Sequence, residues 1–257
     1  MKLPSTLLAV ITALTASVLV HGEIKARGSD STLHVLKALS AAYTKETGQV
    51  IVLEGGGSGA GVKAALAGEA SLAFLSRHLK DSEKVAGLIA YPYAKDGVAV
   101  IVHPDNPVAT LDLGGLKDIF TGQNGTWPDN RPIVAFNRNA DSGTREVFQE
   151  LVLGKETFSP KAAVKHDGVI ISSVQKIATA IAYTSVGEVD ETKVRVLAIA
   201  GIKPTAATLK DGSYPIARTP TLATKGPATP EVQSFIDFVL GPKGQAIVAE
   251  HGLIALN

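Results

Sequence analysis

The chain of 257 residues contains no cysteine. Disulfides, cysteine nucleophiles, thiolate metal sites and a lipid-bearing cysteine are excluded together. Aromatic residues make up 5% of the chain, too few for a platform on which bases or sugars stack. Excess charge is also missing: 25 Lys and Arg face 24 Asp and Glu. The first 22 residues hold a single charge, Lys2, so the remainder balances at 24 against 24. A body without a basic excess argues against nucleic acid as partner. The six histidines show no His-Glu-x-x-His spacing, so the sequence carries no signal for a metal or other cofactor. After residue 22 no apolar stretch reaches the roughly 20 residues of a membrane span.

Hydrophobic residues make up 45%, enough for a sizeable core. At about 150 residues per domain the length fits one large domain or two lobes. Lys2 followed by the apolar run Leu7–Val20, then Val20-His21-Gly22, has the order of a secretory signal. The expectation is a signal peptide over 1–22 cut near Gly22. The product is then soluble, and periplasmic or secreted.

Strands are expected at Glu23–Arg27, Val50–Leu53 and Leu72–Leu75. Between them Leu33, Leu36, Leu39 and Tyr43 recur at helical spacing up to Gly48, and Val62–Ala67 reads as a second helix ended by Gly68. This alternation predicts parallel strands. Asp96–His103 is a long β-branched run, followed by a helix at Leu116–Phe120 and a strand at Ile133–Phe136. A helix is expected at Arg145–Leu153, strands at Val169–Ile171 and Ile181–Thr184, and an extended segment at Tyr214–Ala223. The tail reads as two helices, one carrying Val232, Phe235, Ile236 and Val239, the other near Gln245–His251. If Asp96–His103 and Tyr214–Ala223 both cross between lobes, the chain forms two α/β lobes around a cleft. One continuous doubly wound sheet is the alternative.

Three loops carry chemistry. Gly28-Ser29-Asp30-Ser31-Thr32, Gly55 through Gly61, and Asp141-Ser142-Gly143-Thr144 each follow a strand and open a helix. A helix start leaves about four N–H groups unpaired and carries roughly half a positive charge. With hydroxyls and close glycine backbone added, such an end suits an anion. Arg138, four residues before Ser142, can point at the same place, and a guanidinium fork fits a tetrahedral oxyanion. Arg77, in Ser76-Arg77 after the third strand, can enter from the other side.

Competing motifs are weaker. Gly61 is followed by Val62-Lys63 rather than Lys-Ser or Lys-Thr, so the second loop is not a nucleotide P-loop. Gly56-Gly57-Ser58-Gly59-Ala60 stands one residue from a hydrolase elbow, which keeps open a serine hydrolase using Ser58 or Ser142.

Taken together, these segments resemble the PstS-like phosphate-binding proteins of phosphate ABC transporters, a family of periplasmic binding proteins. Arg138-Asn139-Ala140-Asp141-Ser142-Gly143-Thr144 is similar to the family's Arg-x-x-x-Ser-Gly-Thr loop. Gly28 to Leu33 is similar to its first phosphate loop, and Gly57-Ser58-Gly59-Ala60-Gly61 to its second. Ile119-Phe120-Thr121-Gly122 with Trp127, and Asp96-Gly97-Val98-Ala99-Val100, extend the likeness. The resemblance implies an α/β, two-lobed periplasmic binding protein (type II, venus flytrap) with mostly parallel sheets and a hinge of two crossing strands. It implies lobe I at 23–96 plus 217–257 and lobe II at 97–216. Phosphate would be held by Ser31, Thr32 and the Leu33 N–H, by Ser58 and the Gly59 N–H, by Ser76 and Arg77, and by Arg138, Ser142, Gly143 and Thr144. No catalytic residue, metal or cofactor is implied; the partner is a membrane permease and the protein a monomer. Sulfate, molybdate, or a scavenging or sensing role are the alternatives. One departure stands out: some family members place an aspartate at the position of Arg77, where it accepts the proton of hydrogen phosphate. Asp30 and Asp141 are the candidates to replace it.

Overall fold

The computed structural model describes residues 23–256. The expected signal peptide, 1–22, lies outside the described residues. The chain first builds β1 (Ile24–Gly28), α1 (Leu33–Thr47), β2 (Ile51–Glu54), α2 (Ser58–Ala67), β3 (Leu72–Leu75), α3 (Asp81–Val85) and β4 (Leu88–Pro92). It then enters β5 (Asp96–Val102), β6 (Thr110–Leu111), α4 (Leu113–Thr121), β7 (Val134–Arg138), α5 (Gly143–Phe148), β8 (Ala163–Lys165), α6 (Asp167–Gln175) and β9 (Ala180–Ser185). After β10 (Arg195–Val196), β11 (Ala198–Ile199), α7 (Ala206–Lys210) and β12 (Ala217–Arg218) it closes with β13 (Thr221–Lys225), α8 (Pro230–Leu240) and α9 (Pro242–Glu250).

Two sheets result, one per lobe. The first has the order β2-β1-β3-β13-β4 and the second β10-β5-β9-β7-β8, with β12 also paired to β5. β5 and β12 are the two crossings, joined antiparallel with Arg218 opposite Asp96. The sheets are mixed, which corrects the expectation that they are mostly parallel. β1 pairs parallel with β2 and β3, but β13 runs antiparallel to β3 and β4. β7 pairs parallel with β8 and β9, but β5 runs antiparallel to β9. The exceptions arise from connectivity. β5 and β13 start at the crossing, where the parallel strands end, and therefore run the other way.

Each lobe has its own core. In the first, Val35, Leu36 and Leu39 of α1 pack with Val232, Phe235, Ile236 and Val239 of α8 and with Leu72 and Phe74 of β3. The spacing of these residues on both helices is the apolar stripe that sets their docking. α1 stops at Gly48, whose left-handed backbone (φ 77°) turns the chain toward β2. In the second lobe, Val98, Val100, Ile181 and Tyr183 pack with Phe120 and Phe148. The Phe148 and Tyr183 rings stack at 4.1 Å, which fixes α5 over β9. Several expected elements differ locally, and α3, β4, β6, β8, β10, β11 and α7 have no counterpart among the expected ones. Val169–Ile171 lies inside α6, not in a strand. The helix expected at Arg145–Leu153 starts at Gly143 and widens into a π-turn over Gln149–Leu153. α2 begins at Ser58, four residues before the apolar run that announced it.

Candidate functional site

Parallel pairing decides where the loops go. β2, β1 and β3 end on one edge of their sheet, so the segments after them, 55–57, 29–32 and 76–77, gather there. β7, β8 and β9 end on the facing edge of the other sheet, delivering 139–142, 166–167 and 186–188. The cleft is thus lined by six strand ends, the position at which open α/β sheets bind ligands.

Across this cleft runs a continuous chain of polar contacts. Arg218 Nη1 donates to Thr144 Oγ1 at 2.7 Å. Thr144 Oγ1 and Ser31 Oγ share a hydrogen bond of 2.8 Å between the lobes. Ser31 Oγ also lies 2.9 Å from Asp167 Oδ2, and Asp167 Oδ1 pairs with Arg138 Nη1. All the side chains of this chain are buried; Arg138 is 2% exposed. Arg138 Nε is buried without a formed hydrogen bond. An unpaired buried donor is costly, so such groups mark a place built to receive an acceptor. Arg218 is itself fixed by Asp96, at 2.8 Å from Nε and 2.6 Å from Nη2. Asp96 in turn accepts from Ser185 Oγ at 2.8 Å.

A second cluster adjoins the first. Ser58 Oγ accepts the Ser76 N–H at 3.1 Å. Gly143 closes on both serines from the other lobe: a Cβ there would stand 2.2 Å from Ser58 Oγ and 2.6 Å from Ser76 Oγ. Gly59 N–H donates to Asp141 O at 3.0 Å, a backbone bond across the cleft. Gly57, with φ 105°, allows this approach, since a Cβ there would meet Asp141 O at 2.3 Å. Ser142 caps α5 by accepting the Arg145 N–H at 3.3 Å, and the Leu33 N–H is used within its own turn, on Asp30 O.

Arg77 stands apart from the polar chain. Its fork grips Glu83 with two 2.8 Å bonds, and its Nε lies 2.9 Å from Glu146 Oε2 of the facing lobe. Burial pulls its pKa down, and the two carboxylates outweigh this and raise it. Asp30 caps Gly56 N at 2.8 Å and Asp141 pairs with Lys63 at 2.8 Å. The carboxylate that meets both Ser31 and Arg138 is Asp167, the first residue of α6 just after β8, a residue not singled out from the sequence. Arg218 is the second such residue. Beyond Asp167 the cleft opens into a volume of about 690 Å³ lined by Leu33, His34, Asn139 and Glu188. Burial, with the Asp167 carboxylate nearby, pushes the Glu188 carboxyl upward, and Thr184 Oγ1 donates to it at 2.8 Å. Burial likewise lowers His34.

Among the described residues no group of three His, Cys, Asp or Glu could hold a metal ion, and no helix is long and apolar enough to cross a membrane. Residues 15–243 match the family model described as a PBP superfamily domain. The phosphate-binding protein PstS of Staphylococcus haemolyticus is 32% identical over 253 residues, covering 88% of this chain and 79% of that protein. A Clostridium perfringens structure described as a phosphate ABC transporter substrate-binding protein, with bound phosphate, superposes with a TM-score of 0.87. It is 34% identical and covers 92% of this chain and 100% of its own. An ABC-type phosphate transport receptor of Vibrio cholerae gives a TM-score of 0.78 at 27% identity, covering 90% and 99%.

Proposed function

We propose, from the premise that this chain belongs to the PBP superfamily and within it to the PstS phosphate-binding proteins, that it captures inorganic phosphate in the cleft and delivers it to an ABC transporter. The observation that carries this reading is the polar chain Arg218–Thr144–Ser31–Asp167–Arg138, contributed by both lobes and buried between them. Two guanidiniums and a set of neutral hydroxyls supply donors for an oxyanion, each guanidinium already held by a carboxylate, Arg138 by Asp167 and Arg218 by Asp96.

Lobe I comprises 23–96 plus 217–257 and lobe II 97–216, and closure is a hinge motion at the paired crossings β5 and β12. Ser31, Thr32, Ser58, Arg138, Ser142 and Thr144 bind the phosphate, joined by Arg218. Gly59, Ser76 and Gly143 shape the closed walls. Asp167 accepts the proton of hydrogen phosphate, the role left open by Arg77, and sulfate has no such proton to offer. The chain acts outside the cytoplasm as a monomer and performs no catalysis. Neither Ser58 nor Ser142 has a histidine partner among the described residues; Ser58 Oγ faces Ser76 and Ser142 Oγ accepts the Arg145 N–H.

Calorimetry with phosphate, sulfate and molybdate tests the reading. Phosphate is expected to bind most tightly, and Asp167→Asn to narrow the gap to sulfate. Absence of heat and of any thermal shift with all three anions would refute phosphate capture.

A further inference from the structure

We propose that Glu146 is a positioning residue for ligand capture: it is the catch of a latch that Arg77 and Lys80 close across the cleft. This rests on the reading of the cleft as the phosphate site. Arg77 is 3% exposed and prepared entirely within its own lobe. Glu83 takes both ends of its fork at 2.8 Å, and His78 O accepts from Nη1 at 2.9 Å. Glu83 is held in turn by the Lys80 N–H at 2.9 Å. The remaining nitrogen of the guanidinium, Nε, forms an ion pair with Glu146 Oε2 at 2.9 Å, and Lys80 Nζ reaches the same oxygen at 2.5 Å.

The asymmetry of this cluster makes it a latch. Arg77, Glu83 and Lys80 follow β3 and belong to one lobe; Glu146 lies in the first turn of α5, on the other. When the lobes separate, the Arg77–Glu83 fork stays intact and only the contacts to Glu146 are lost. Their free energy is therefore present in the closed state alone, the condition for shifting an equilibrium between two states. Glu146 is 16% exposed, so water screens the pair weakly. The same turn of α5 carries Gly143 and Thr144, so gripping Glu146 seats the loop that faces Ser31, Ser58 and Ser76. The molecule holds an internal control. Lys63 and Asp141 also pair across the cleft, but their side chains are 74% and 42% exposed, and such surface pairs contribute little.

The test uses the full chain. Since it lacks cysteine, Lys45→Cys and Glu150→Cys provide two unique label sites, one per lobe, for measuring lobe separation. Glu146→Gln is expected to raise the Kd for inorganic phosphate about tenfold, chiefly through faster release, and to open the lobes in the absence of phosphate. Lys63→Met should leave both readouts near the parent. Lys80→Met, on an exposed side chain, should move both in the direction of Glu146→Gln by a smaller amount, and it serves if Glu146→Gln does not fold. Unchanged release and unchanged separation in Glu146→Gln, or in Lys80→Met where that variant stands in, overturn the latch. If the parent binds no phosphate, the functional reading fails while the latch is still judged by lobe separation.

Discussion

Arg138 is positioned by two features that act at different distances along the chain. Its backbone N–H is fixed by the neighbouring Asn137 Oδ1 at 2.8 Å, while its guanidinium meets Asp167 from the end of another strand. A buried cation held this way has little freedom to lose when a ligand arrives. Arg138→Ala is expected to weaken phosphate binding by about 2–4 kcal/mol, the loss of a bidentate charged contact in a closed site. Titration calorimetry reads this directly, and a variant as tight as the parent excludes Arg138 from the site. Glu188 makes a different claim. Its carboxyl is pushed upward by burial and by Asp167, so the folded protein retains a proton that the unfolded chain releases. Stability is then greatest below the ordinary carboxylate value and falls as pH rises through the raised one. Thermal unfolding between about pH 5 and pH 8 should show this decline, and Glu188→Gln should flatten it. An equal slope in parent and variant assigns the decline elsewhere.

At the level of elements, the start of α5 is where sequence and tertiary structure meet most closely. Gly143 stands against Ser58 and Ser76 of the other lobe, and a methyl group there overlaps both hydroxyls only when the lobes are closed. Gly143→Ala is therefore expected to weaken phosphate binding by about 1–3 kcal/mol, the usual cost of overpacking, with the unfolding temperature of the ligand-free protein unchanged. A fall in that temperature with unaltered affinity would place the clash inside a lobe instead. This loop was legible because glycine and hydroxyl residues between a strand and a helix have few other uses. α1 was legible from end to end, since its apolar stripe and Gly48 agree. Val169–Ile171 was not: three consecutive apolar residues fit either a strand or a turn of α6, where Val169 is exposed, and only the packing of Ile170 and Val174 on Phe136 and Ala182 decides. Asp167 and Arg218 were invisible for another reason. Asp167 comes after β8, a short strand with no distinctive pattern, and Arg218 lies in an extended segment; the contacts that give each a role come from Ser31, Arg138, Thr144 and Asp96, far away in the chain. Asp167 stands just beyond the carboxyl end of a parallel strand, and that place, rather than glycine content, is the signal that marks it.

For the whole molecule, the two lobes fold around separate cores and meet at paired crossings whose centre is a buried ion pair. Asp96 accepts from Arg218, Ser185 and the Gly97 N–H, and the Asp96 and Arg218 side chains are 0% and 1% exposed. Such a pair is weak support for stability when intact, because desolvation offsets most of the attraction. Breaking it is another matter, since the remaining charge stays buried without a counterion. Asp96→Asn keeps the shape and several hydrogen bonds but leaves Arg218 uncompensated, so a loss of about 3–5 kcal/mol is expected in urea unfolding. Arg218 Nη1 also holds Thr144 in the cleft, so the same substitution should loosen phosphate binding although Asp96 belongs to the hinge rather than to the proposed phosphate contacts. If the urea midpoint drops and affinity does not, the hinge pair is structural only, and the link from crossing strands to cleft through Arg218 is not used.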